Sequence, residues 1–203
     1  MRAGQRWWIR WGIVWALGVL MWVGSPKAWA QERLQEEAAQ GRWLFPPGRI
    51  EVGAQVGGGF SNRPVQLLKF VPRLGYVLTQ QEVLLPGSVE VVGEPSYFAA
   101  FEGRTAHGVD VAALLKYNSW TGTKLTPYLP GGGGLSYASI RVPPGGTNFN
   151  FTLQAGLGLH YAMNQQSTFN FEWRYQHFSN GDISPPNPSL NAIIFLLGFS
   201  VLY

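Results

Sequence analysis

The 203-residue chain contains no cysteine. Disulfides are therefore excluded as its source of rigidity, although an exported protein of this size could use them. A lipid-modified cysteine at a processed N-terminus is excluded for the same reason. Charge is sparse, with Asp, Glu, Lys and Arg making up 13% of the residues. Long apolar runs are also lacking: beyond the first thirty residues none reaches 18. A membrane-spanning helix needs about 20, so helical spans are excluded there.

Residues 1–30 read as an export signal. Arg2, Arg6 and Arg10 form a positive leader, Trp11 to Gly24 is an uncharged and mostly apolar run, and Ala28-Trp29-Ala30 is a small-x-small cleavage site before Gln31. Four of the 15 basic residues and none of the 11 acidic ones lie in this segment. The basic balance thus belongs to the signal, and the mature chain is close to neutral. Nothing in it argues for a nucleic-acid partner. Residues 31–48 open polar and helix-favouring, a short periplasmic lead-in, and the remaining 49–203 suit one domain.

From there the period is two. In 148–161, Phe149, Phe151, Leu153, Ala155, Leu157, Leu159 and Tyr161 alternate with Asn148, Asn150, Thr152, Gln154, Gly156, Gly158 and His160. Successive strand residues point to opposite faces, so this is one apolar face and one polar face. Less perfectly, the same alternation sets Val109, Val111, Ala113, Leu115 and Tyr117 against Asp110, Ala112 and Lys116, and Phe171, Trp173 and Tyr175 against Glu172 and Arg174. Eight strands are expected, at about 49–60, 65–78, 88–102, 106–118, 124–140, 147–162, 167–179 and 190–203. The alternation in the third is poor. Pro72, Pro127 and Pro130 each remove a ladder donor, so bends or bulges are expected there.

A soluble lipocalin-like barrel would bury the apolar face. A membrane barrel turns it to lipid and keeps a polar lumen. Three features favour the membrane: charges on the polar face (Glu51, Asp110, Lys116, Glu172, Arg174), aromatics near strand ends (Phe60, Tyr117, Phe149, Tyr161, Tyr175), and the terminal Tyr203. The fold expected is an all-β, eight-stranded antiparallel transmembrane barrel in the outer membrane of a Gram-negative-type bacterium. With both termini periplasmic, residues 180–190 form an extracellular loop.

Parity also places His177, Ser179 and Asn191 on the lipid-facing side. With Ser179 opposite Asn191 across the last hairpin, a nucleophile, a base and an orienting group would gather there. Polar groups facing lipid are expensive, so three at one level call for a reason. His160 reads as an interior residue, His107 as solvated, and Gly131 to Gly134 as close packing rather than a phosphate loop. No His/Asp/Glu cluster has metal-ligand spacing, and no cofactor is implied.

The longer pattern HFSNGDISPPNPSLNAI, carried by His177, Ser179, Asn180, Pro186, Asn187, Pro188 and Ser189, resembles the signature of the PagL family of outer-membrane lipid A 3-O-deacylases, also labelled acyloxyacyl hydrolases. The resemblance implies hydrolysis of the 3-O ester of lipid A. Ser179 would be the nucleophile and His177 the general base, with N–H groups near Asn180 at the oxyanion. Its partners would be lipopolysaccharide in the outer leaflet and the outer membrane itself, with a homodimer admissible. Family members carry a glutamate on the last strand to orient the histidine, and by spacing that position here is Asn191. Asp182 in the adjacent loop is the substitute acid to consider. The competing reading is a catalytically inactive or repurposed structural or adhesive barrel. A small-molecule pore is disfavoured, because side chains normally fill an eight-stranded lumen.

Overall fold

The alternation resolves into eight antiparallel strands that close on themselves: β1 (Ile50–Ser61), β2 (Gln66–Gln81), β3 (Gly87–Glu102), β4 (Arg104–Ser119), β5 (Leu125–Ala138), β6 (Phe149–Ala162), β7 (Ser167–Ser179) and β8 (Leu190–Leu202). The computed structural model describes residues 44–81 and 86–203. The expected export signal, 1–30, and most of the expected lead-in, 31–48, fall outside the described residues. Each strand pairs with its neighbours in sequence, and β1 pairs with β8 from Glu51↔Leu202 to Ser61↔Ala192, which closes the barrel. A 13-residue strand rising about 3.3 Å per residue is about 43 Å long. Tilted as barrel strands are, it covers the roughly 25 Å apolar band of an outer-membrane barrel with a margin at each end.

The parity is the one that a lipid environment requires. Leu74, Leu115, Leu153 and Leu157 lie outside at 55–62% exposure, and Trp173 at 39%. Glu172 and Arg174 flank Trp173 in sequence, yet they are buried in the lumen at 0% and 2%. The lumen is held by ion pairs in layers. Arg174 and Arg73 both donate to Glu94, at 2.5 and 2.6 Å, and both reach Glu172. Tyr128 Oη donates to Glu172 at 2.8 Å. Towards the periplasm Lys116 joins Glu51 and Glu90. Towards the exterior Lys69 donates to Asp110 at 2.6 Å. Charges this deeply buried persist because each has opposite partners. His160 is interior as expected, with Nδ1 2.6 Å from Asn170 Oδ1. Gly158 makes room for this arrangement: a Cβ there would lie 2.0 Å from Cζ of Tyr128.

Two expectations need correction. The prolines cause no bulge. Pro72 pairs with Ala54 in unbroken register, and the β2–β3 ladder opens between Phe70↔Tyr97 and Leu74↔Gly93 without a shift. By that register Pro72 faces Pro95, so neither side offers a donor and nothing forces the strands to slip. Around Pro127 and Pro130 the β5–β6 register is likewise unchanged. The one register shift in β2–β3 lies between Val77 and Thr79. The lumen is also not polar throughout. Its extracellular end is filled by Leu67, Phe98, Phe178, Leu190, Ala192 and Ile194, all buried. Phe98 and Ala100 of β3 belong to this apolar end and Val92 to a second buried cluster with Ala112 and Leu114, which explains the poor alternation of β3.

Candidate functional site

β7 ends at Ser179 and β8 begins at Leu190, so their pairing ends at the extracellular rim. The register there is His177↔Asn191 and Phe178↔Leu190. This corrects the sequence expectation: Asn191 faces His177, not Ser179. On the other side of β7, His177 pairs with Leu153 and Ser179 with Phe151. His177, Ser179 and Asn191 are half-buried.

The imidazole is oriented. His177 Nδ1 lies 2.6 Å from Asn191 Oδ1, and Tyr175 Oη donates to the same oxygen at 2.8 Å. An amide oxygen only accepts, so the proton of the neutral ring is on Nδ1 and Nε2 is left as the basic nitrogen. No hydrogen bond joins His177 to Ser179, whose Oγ has no partner among the described residues. Residues two apart on a strand stand about 6.6 Å apart at Cα. A side-chain rotation is enough to bring Oγ and an imidazole together across such a gap.

Asn191 is fixed through its backbone by a segment far away in sequence. The N–H of Asn62 donates to Asn191 O, and the N–H of Asn191 donates to Asn62 Oδ1, both at 2.9 Å. Arg63 Nε donates to Ser189 O at 2.9 Å. The β1–β2 connection therefore braces the start of β8. Sequence reasoning missed Asn62 and Arg63, since nothing in a chain marks pairs 126 or 129 positions apart. Tyr175 was assigned to the aromatic girdle, although its place two residues before His177 on the same face is a usable signal.

The 180–189 loop is built around Asn180, which is buried. Its N–H donates to Asn187 Oδ1 at 3.0 Å, and its Nδ2 donates to Ser184 O and Pro186 O at 2.7 and 3.4 Å. Its Oδ1 accepts from the N–H of Asp182 at 3.0 Å. The Asn180 donors are thus used inside the loop. Gly181 (φ 64°) and Asp182 (φ 59°) turn the chain in the left-handed region, where glycine is unstrained and aspartate tolerated. The N–H of Gly181 has no acceptor among the described residues. Asp182 is exposed and makes no hydrogen bond or ion pair with His177. His107, the remaining histidine, is exposed on β4 with Nδ1 2.5 Å from Tyr97 Oη. Among the described residues no group of His, Asp and Glu could hold a metal ion.

A family model described as lipid A 3-O-deacylase (PagL) matches residues 81–200. Among curated proteins none matches the chain. Solved structures share the fold. The crystal structure of the outer membrane enzyme PagL aligns with a TM-score of 0.59 at 19% identity, over 73% of this chain and 97% of that one. That of Neisserial surface protein A aligns at 0.54 and 16% identity, over 75% and 95%.

Proposed function

The chain belongs to the lipid A 3-O-deacylase (PagL) family, and on that premise we propose that it is an outer-membrane esterase that removes the acyl chain at the 3-O position of lipid A. The observation that carries this reading is the oriented imidazole on the lipid-facing wall: His177 held by Asn191, two residues from Ser179. The ester would lie in the outer leaflet against β6, β7 and β8. Leu153 and Leu157 give its acyl chain an apolar wall.

In the reaction Ser179 Oγ attacks the ester carbonyl while Nε2 of His177 takes its proton. The tetrahedral oxyanion is met by backbone N–H groups of the turn after Ser179, Gly181 foremost. Collapse breaks the bond to the sugar oxygen, which recovers the proton from His177, and water then releases the fatty acid from the serine. Asn191 keeps the proton on Nδ1 and the ring in place. It contributes no negative charge to the imidazolium.

The lack of a hydrogen bond between Ser179 and His177 and the amide at position 191 favour the second reading, an inactive or repurposed barrel. A fluorophosphonate probe, which reacts with activated serines, separates the two. Labelling mapped to Ser179 and lost in His177→Ala supports the esterase. A folded barrel that the probe leaves unlabelled supports the second reading.

A further inference from the structure

Across the mouth of the barrel from His177 lies an open cavity of about 670 Å³, within the roughly 300–1,000 Å³ range of small-molecule sites. The ends of β3 and β4 and the β1–β2 and β5–β6 connections build its wall, contributing Ala100, Ala106, Val65 and Val142, all buried and apolar, with Ile140 and Pro144 exposed beside them. Beside it inside the lumen Phe98, Phe178, Leu190 and Ile194 are buried at 0–1% exposure. The Lys69–Asp110 pair and the Arg174–Glu94 network fill the lumen beyond them. The cavity is therefore blind, which suits a binding site and not a conduit.

Two further residues lining it are cationic. Arg104 and Arg141 are exposed, and neither has a hydrogen bond or an ion pair with any described residue. Lys69, by contrast, is paired with Asp110. The cavity thus joins an apolar interior to two guanidinium groups that have no partner among the described side chains.

We propose that this cavity binds one long-chain carboxylate, its hydrocarbon against the exposed Ile140 and Pro144 and over the apolar floor of Val65, Ala100, Ala106 and Val142, and its head between Arg104 and Arg141. A guanidinium matches a carboxylate with two parallel hydrogen bonds. Hydrocarbon suits the wall, which a bare phosphate or a sugar leaves unused. The volume suits one chain and not a lipid with several. Nothing in this site requires Ser179 or His177, so it stands apart from the esterase reading. The two meet only in that a deacylase releases a ligand of this class.

Displacement of the fluorescent eighteen-carbon acid cis-parinaric acid from the mature barrel, in neutral-detergent micelles, tests the proposal. Hexadecanoic acid should displace it, hexadecanol should do so about tenfold less well, and inorganic phosphate should not. The Arg104→Gln/Arg141→Gln variant changes only exposed side chains. It should bring the acid down to the level of the alcohol and leave the alcohol unchanged. Ala106→Phe should remove both, with the mobility of unheated protein on gels reporting that the barrel is closed. If Ala106→Phe does not fold, the arginine variant still decides. Failure of the probe to bind, equal displacement by acid and alcohol, displacement by phosphate alone, or no effect of the arginine variant would each overturn the proposal.

Discussion

Replacing Asn191 by aspartate isolates what the amide withholds. The oxygen that accepts from His177 at 2.6 Å and from Tyr175 at 2.8 Å keeps its place. Only Nδ2 becomes an oxygen, and a negative charge appears. The tautomer is already set by Oδ1, so the gain is the interaction of that charge with the imidazolium formed during attack. At about 4 Å this is worth about 1 kcal/mol in bulk water and about 4 kcal/mol at an effective dielectric of 20. The site is half-buried at a strand end, so the gain lies between those limits, about 10- to 100-fold in kcat/KM. It falls short of the roughly 10⁴-fold tied to loss of a triad acid when the tautomer is also wrong. The assay is release of fatty acid from lipid A in mixed micelles by purified wild type, Asn191→Asp, Asn191→Glu and Asn191→Leu. Glutamate should act in the same direction as aspartate, and leucine should slow the reaction at least about tenfold. If aspartate and leucine both leave kcat/KM within about twofold of wild type, Asn191 does not orient the base and the mechanism proposed here is wrong.

Three predictions concern the fold and its export. Glu94→Leu leaves Arg73 and Arg174 buried with only Glu172 between them and should cost about 3–5 kcal/mol; an unchanged urea midpoint would refute the role given to the network. Gly158→Ala should displace the Tyr128 ring and impair assembly, since the new Cβ would stand 2.0 Å from Cζ, and adding Tyr128→Ala should restore the closed, heat-modifiable form; a single variant that assembles like wild type would show that the space is not needed. N-terminal sequencing of the exported protein should begin at Gln31, and recovery of Met1 from the outer membrane fraction would contradict the reading of residues 1–30.

Much of the barrel was legible because its two faces meet different solvents. On β6 and β7 lipid outside and polar or paired charged side chains inside enforce alternation, on β4 Asp110 and Lys116 do so around an apolar stretch at Ala112 and Leu114, and the structure keeps the expected parity at Val109, Leu153 and Trp173. On β3 the signal fades where the lumen itself is apolar, at Val92, Phe98 and Ala100. Pro72 misled for a different reason: a missing donor opens a ladder without shifting it when the facing residue, Pro95, offers no donor either, while Pro127 and Pro130 stay in register opposite Leu159 and Lys116. At the site, the face shared by His177, Ser179 and Asn191 followed from parity. Their pairing did not, because a long connection such as 180–189 does not fix register as a two-residue turn does. Asn180 shows a second limit. The motif marks it as important, but only the folded loop shows its amide bound to Ser184, Pro186 and Asp182.

Mass spectrometry of lipid A from cells that export this chain, set beside cells that export Ser179→Ala, tests the esterase reading most directly. Loss of one ester-linked acyl chain, from the 3-O position, with the wild-type barrel and none with Ser179→Ala is the result predicted. Unaltered lipid A from cells with a folded wild-type barrel in the outer membrane, or the same loss with Ser179→Ala, would contradict it.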